Sequence, residues 1–166
     1  MTRGPAFWIA AGLGSGLVPR APGTAGSLAA LAVGMALLAI EPALLPLGAM
    51  IATIGGLWAV QAARVEGDPG WVVIDEIAGQ WIALLPLALV PAGAEWNLPS
   101  LALAFVAFRA LDILKPGPVG WADRQEGAAG IMADDVIAGL LAAGIVRAAQ
   151  IVLPAWFAVP TAALFS

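Results

Sequence analysis

The chain has no cysteine, no histidine and no tyrosine, and charged side chains make up only 11% of its 166 residues. Each shortage removes a class of chemistry. Without Cys there are neither disulfides nor thiolate nucleophiles. Without His there is no phosphohistidine, no imidazole base and no His-ligated metal. Any reaction therefore runs on carboxylates, hydroxyls, Arg, Lys and a metal ion held by oxygen. Basic residues are also few: seven Lys and Arg against eleven Asp and Glu give a formal charge of −4. That balance provides no basic face for a nucleic acid.

Hydrocarbon is what the chain has in abundance. Hydrophobic residues make up 61% of it and the mean hydropathy is +0.95, whereas a soluble domain carries roughly 25% charged residues. The composition predicts an all-α integral membrane bundle, residues 1–166 forming a single membrane-embedded domain. Apolar runs at about 28–40, 44–63, 77–94, 98–114 and 136–153 each approach the roughly 17 to 25 residues that a spanning helix needs. The first does so only when 25–27 are added. About five spans are expected, with Pro42, Pro46, Pro91, Pro99 and Pro154 near their ends and Pro86 kinking the third.

Ahead of the first span, Gly12-Leu13-Gly14-Ser15-Gly16 reads as a glycine-rich re-entrant or interfacial segment. A signal peptide over 5–18 is the competing reading, but no small-x-small cleavage site follows before Pro19. With a cytoplasmic N-terminus, Arg3, Arg20, Arg64, Lys115 and Arg124 all fall inside, and the outer connections carry Glu41 and Glu95. Trp71, Trp96 and Trp121 fall in loops, as interfacial aromatics do. Arg147 is the misfit, about 18 Å along the last helix from Asp135 at 1.5 Å per residue; it either snorkels outward or pairs within the bundle.

Scarce charge is nevertheless clustered. Asp75-Glu76 open the third span, Arg109, Asp112 and Lys115 close the fourth, and Asp134-Asp135 open the fifth, all at one depth. A charge near the bilayer is costly and tends to be paired or functional. Steps of three residues keep 109, 112 and 115 within one sector of about 120° on a helix. Two acidic pairs facing that edge would suit a hard divalent cation such as Mg²⁺. Helix-end carboxylates and cations complementing the dipole are the simpler alternative. Asp75-Glu76-Ile77-Ala78-Gly79 faintly echoes Asp135-Val136-Ile137-Ala138-Gly139. Gly79 and Gly139 suit close helix packing or room for a lipid headgroup. Before the first span, Pro22-Gly23-Thr24-Ala25-Gly26-Ser27 could hold an anion at a helix start, with Thr24 or Ser27 as phosphate donor or as a plain N-cap. The Gly-Lys-Ser/Thr ending of a P-loop is missing.

In order along the chain, Gly14-Ser15-Gly16, Pro22 to Ser27, Asp75 to Gly79, Arg109-Ala110-Leu111-Asp112-Ile113-Leu114-Lys115-Pro116 and Gly130 to Gly139 together resemble the bacterial phosphatidylglycerophosphatase A family. The resemblance covers about residues 7 to 145. It implies an all-helical inner-membrane enzyme that hydrolyses the terminal phosphomonoester of phosphatidylglycerophosphate with Mg²⁺ on the cytoplasmic side. On that reading Asp75, Glu76, Asp134 and Asp135 hold the metal, and Asp75, Asp112 and Asp134 are catalytic. Ser15, Thr24, Ser27, Arg109, Lys115 and Arg124 bind the phospholipid substrate. Attack by water and an aspartyl-phosphate intermediate both stay open. A small ion or lipid transporter is the rival from another class, and a carboxylate and Mg²⁺ lipid phosphotransferase is a third reading.

Overall fold

The computed structural model describes residues 4–67, 69–89 and 98–154, and every regular element among them is helical. Arg3, Pro91, Glu95 and Trp96 lie outside the described residues. In chain order the elements are α1 (Pro5–Ala10), a 3₁₀ segment (Gly12–Leu17), α2 (Pro22–Ile40), α3 (Leu44–Ala62), α4 (Ile74–Ala83), α5 (Leu85–Ala88), α6 (Leu98–Leu114), α7 (Pro118–Asp123) and α8 (Gly127–Val152).

Three of these, α2, α3 and α8, are long and apolar enough to cross a membrane. Their outward faces fit that role. Leu28, Val33, Met50, Ile51, Ile54 and Leu140 are all exposed, and a contiguous apolar surface of this kind is stable against lipid rather than water. The other two expected spans are shorter: α6 has 17 residues, and the third run is divided. Pro86 is the cause of the division. Lacking an N–H and clashing with the preceding turn, it ends α4 at Ala83 and restarts the helix as α5 with the proline in its first turn.

The first span begins earlier than its apolar run. Pro22 occupies the first helical turn of α2 and Ala21 takes a left-handed φ of 49° before it. Pro at a helix start costs nothing, because its missing N–H would have had no partner there. Thr24 and Ser27 consequently lie inside the helix, and neither is its N-cap.

At the centre, α4 is surrounded by α2, α3, α6 and α8, with its largest packing against α8. Glycine makes that approach possible. A Cβ on Gly139 would stand 2.5 Å from the Gly79 carbonyl oxygen, and one on Gly79 would stand 2.7 Å from the Asp135 carbonyl oxygen. The two Asp-x-x-x-Gly segments thus cross backbone to backbone with their N-terminal ends together. Gly79 and Gly139 serve close packing, and their faces hold protein rather than space for a headgroup.

The N-terminal segment is latched onto the start of α4. Val73 donates its N–H to the Ala10 carbonyl at 2.9 Å. Gly16 lies so tightly against the Trp71 carbonyl that no side chain fits, and a Cβ on Gly12 would meet Ile77 Cδ1 at 2.7 Å. Trp81 ties α4 to α2 by donating Nε1–H to the Ala30 carbonyl at 2.8 Å.

Candidate active site

The α4–α8 crossing determines where the carboxylates go. Asp75 and Glu76 stand in the first turn of α4, where the positive dipole end favours negative charge. Asp135 faces them from α8. One carboxylate oxygen from each of Asp75, Glu76 and Asp135 lies within 4.8 Å of the others. Asp75 and Asp135 are buried, at 5% and 3% exposure. Asp75 accepts the Glu76 backbone N–H at 3.0 Å. Glu76 Oε2 and Asp135 Oδ1 are buried with no hydrogen-bond partner among the described residues. Unsatisfied carboxylate oxygens in a dry interior are expensive. An all-oxygen donor set with open lone pairs fits a hard divalent cation and does not fit a soft one.

Glu76 reaches across to α2. Its Oε1 rests against Gly23, where a Cβ would collide with it. The anion standing at this helix start is thus a protein carboxylate, a use of the glycine motif that spacing did not indicate. One turn further along α2, Ser27 is fully buried; its hydroxyl donates to the Gly23 carbonyl at 2.9 Å and accepts Arg109 Nη1–H at 3.3 Å. Arg109 also pairs with Asp112 at 2.6 Å. Asp112 in turn lies close enough to Glu76 and Asp135 to feel both charges. Arg109 is therefore the cation of the carboxylate group, held from two sides.

Lys115 departs from the expected row. The helix α6 stops at Leu114, and Lys115 takes a left-handed φ of 46° before Pro116. Its side chain leaves the edge shared by Arg109 and Asp112 and bonds Asp134 Oδ2 at 2.9 Å and Asp123 from α7. Partial burial works against its ammonium, but those two carboxylates outweigh it and hold the proton more tightly than usual. Asp134 thus stands beside the three-carboxylate group, committed through one oxygen to Lys115 while its Oδ1 is buried without a hydrogen-bond partner among the described residues.

The remaining expected residues are more peripheral. Thr24 is half-buried in the first turn of α2. Ser15 is half-buried in the 3₁₀ segment and donates to the Gly12 carbonyl at 2.9 Å. Arg124 is exposed and lines a polar cavity of about 550 Å³ shared with Asp123, Glu126 and Asp134. Arg147 is exposed on α8, its Nη1 donating to Gln150 at 3.4 Å, so it points away from the bundle. Asp123 and Gln80 were not indicated by the motifs. Gln80 is wholly buried with neither amide atom bonded among the described residues; its one signal was a polar residue one turn beyond Glu76 in an apolar run.

Three helices long and apolar enough to cross a membrane, with a buried group of carboxylates beside an Arg, are the features of a membrane protein with a polar site at one end of its bundle. Sequence comparison places it further. Residues 8–150 match the family model described as Phosphatidylglycerophosphatase A. The chain is 41% identical to Phosphatidylglycerophosphatase A of Escherichia coli K12 over 85% of this chain and 81% of that protein. It is 38% identical to the Haemophilus influenzae protein of the same name, over 88% and 89%. It is 40% identical to a Bacteroides thetaiotaomicron protein named Putative phosphatidylinositol-3-phosphatase, over 87% and 93%. No solved structure matches the chain significantly. The chain belongs to the phosphatidylglycerophosphatase A family.

Proposed function

We propose that this chain is a Mg²⁺-dependent lipid phosphatase that hydrolyses phosphatidylglycerophosphate to phosphatidylglycerol and inorganic phosphate. The observation that carries the reading is the triangle of Asp75, Glu76 and Asp135 with Arg109 beside it, within a chain whose relatives carry the names of lipid phosphatases. Asp75, Glu76 and Asp135 would hold the metal, with Asp134 contributing through its unpartnered Oδ1. A bound Mg²⁺ supplies Lewis-acid stabilisation of phosphoryl oxygens and a more acidic water.

The chain's own residues do the rest. Arg109 neutralises phosphate oxygens, and Ser27 with Asp112 fixes its planar fork. Lys115 provides a second cation, held by Asp123 and Asp134. Asp112 accepts the proton of the attacking water as the water oxygen bonds phosphorus, the phosphoester P–O bond breaks, and Asp112 passes that proton to the leaving glycerol oxygen. Thr24 and Ser15 contribute hydroxyls from the helix start and the 3₁₀ segment, and Arg124 assists at the rim. Attack by Asp75 or Asp134 through an aspartyl-phosphate would use the same set, and trapping of phosphorylated protein separates the two routes.

In this reading α4 with α5, and α6, cross beside the three long helices, giving five spans in the bacterial inner membrane. The site faces the cytoplasm, because Arg20, Arg64, Lys115 and Arg124 share its end of the bundle. A transporter would spread its charges through the bilayer depth, and here they gather at one end. Phosphate release by the purified protein from phosphatidylglycerophosphate, phosphatidic acid and phosphatidylinositol 3-phosphate, with Mg²⁺ and in excess chelator, tests the proposal. Release from the first substrate, abolished by chelator, is expected. No release overturns the activity, and full turnover in chelator overturns the metal.

A further inference from the structure

We propose that the groove between α2 and α3, floored by α4, is the seat of one acyl chain of the lipid whose phosphate occupies the carboxylate site. The groove has a volume of about 390 Å³, within the roughly 300–1,000 Å³ typical of small-molecule sites. Its walls are Ala30 and Val33 of α2 with Ile51 and Gly55 of α3, and its floor includes Ile77 and Trp81 of α4. This inference rests on the lipid-phosphatase reading and adds where the hydrocarbon goes.

Chemistry selects the occupant. The lining is almost entirely hydrocarbon, and the indole N–H of Trp81, the obvious polar atom, is consumed by the Ala30 carbonyl. Nothing is left to recognise a charge, a hydroxyl or an amide. Two walls belong to helices long and apolar enough to span the membrane, and Val33 and Ile51 are 48% and 60% exposed on its open side. The groove therefore opens toward lipid and accepts an uncharged chain from it.

Position ties that chain to the site. Along α2, Ala30 and Val33 follow Gly23, the residue that receives Glu76, by about 10 to 15 Å at 1.5 Å per residue. Along α4, Ile77 directly follows Glu76, and Trp81 comes about a turn later. The groove thus starts at the level of the carboxylates and runs deeper into the apolar region. A lipid whose terminal phosphate is held beside Glu76 and Arg109 carries its acyl chains beyond a glycerol–phosphate–glycerol spacer, which spans the distance to the deeper part of the groove at Ala30 and Val33. Small side chains create the space. Gly55 faces it with nothing within 4 Å of a would-be Cβ.

That opening supplies the test. Gly55→Phe should fill the groove without meeting protein at its Cβ, and Gly144→Phe, on α8 with equal room around it, controls for bulk added elsewhere. With full-length protein in mixed micelles, kcat/KM is measured for phosphatidylglycerophosphate carrying eighteen-carbon chains and for its short-chain, water-soluble analogue. Gly55→Phe should lower the long-chain to short-chain ratio by about tenfold or more, given the apolar contact displaced, and Gly144→Phe should leave the ratio as it is. In parallel, a long-chain phospholipid with a diazirine in one acyl chain should photolabel the peptide containing Ile51 and Gly55, and Gly55→Phe should remove the label. An unchanged ratio, an equal fall for both substrates, or labelling spread evenly over α2, α3 and α8 overturns the groove as an acyl seat. If the unaltered protein releases no phosphate from either substrate, the activity fails, and the photolabelling arm still decides the groove.

Discussion

Gly79 and Gly139 meet through their backbones, and this contact between two residues without side chains brings Asp75 and Asp135 into one group. Each glycine stands one helical turn beyond its aspartate, so the closeness of the crossing fixes the separation of the carboxylates. Gly139→Ala should therefore damage fold and site together. With a carbonyl oxygen 2.5 Å from the new methyl group, the helices must part, at about 1–3 kcal/mol. Thermal unfolding in detergent should show the loss, and phosphate release should fall further than the folded fraction does.

Ligand and positioning roles separate by metal dependence. Glu76→Gln and Asp135→Asn keep size and remove the charge that a hard cation seeks. Turnover should drop by orders of magnitude, and the Mg²⁺ concentration for half-maximal activity should rise about tenfold or more. Asp134→Asn, which loosens Lys115, should lower turnover with a smaller shift in that midpoint. Mg²⁺ titrations of the three variants check the contrast.

Arg109 is predicted to act through its fork. Arg109→Lys should lose most activity although the charge remains, because an ammonium lacks the planar guanidinium whose other N–H groups stay available for a phosphate while Nη1 holds Ser27 and Asp112. Ser27→Ala should reduce kcat/KM about tenfold, the order expected for one lost hydrogen bond to a charged group. Phosphate-release kinetics measure both.

The ammonium of Lys115 binds its proton more tightly in the folded chain than in the unfolded one. A raised folded pKa gives a contribution that is fully present below the unfolded value of about 10.4 and is lost as pH rises through the folded value. The stability gap between the unaltered chain and Lys115→Met should be flat from about pH 6 to 9 and narrow above about 10. Unfolding in detergent across that range measures the gap, and a gap that narrows at acid pH first would contradict the assignment.

Orientation is open to direct measurement. Reporter fusions near Glu41 and Glu95 should read outside, and those near Gly67 and Gln125 inside, as the distribution of Lys and Arg requires. The reverse pattern would move the site to the other face of the membrane.

Much of the site was readable because charge is scarce: in a chain this apolar, Asp75, Glu76, Arg109, Asp112 and Asp135 stand out, and helix-end positions put them at one depth. Which carboxylates meet was not readable. Asp135 rather than Asp134 completes the triangle because α8 presents that face to α4, a result of tertiary packing. The direction of Lys115 was hidden for a similar reason. Pro116 signals the end of α6, but only the placement of α7 and α8 shows that the side chain turns to Asp123 and Asp134. The early start of α2 was masked by its glycines and hydroxyls, which resemble a loop although Pro22 is a helix-start signal. The break in the third run was readable, because Pro86 is expected to kink it; apolar length alone did not show that α4 stops at Ala83 and α5 ends at Ala88.

The hydrogen bond from Val73 to Ala10 also bears on biogenesis. A ribosome delivers Ala10 long before Val73, with both α2 and α3 made in between. The segment also packs against α3, and its 3₁₀ stretch against α2, but this hydrogen bond can close only once the start of α4 has been made. Glycines at positions 12 and 16 let it close over Ile77 and Trp71 at that later moment, so the latch between this segment and α4 is completed only after α2 and α3 have been made.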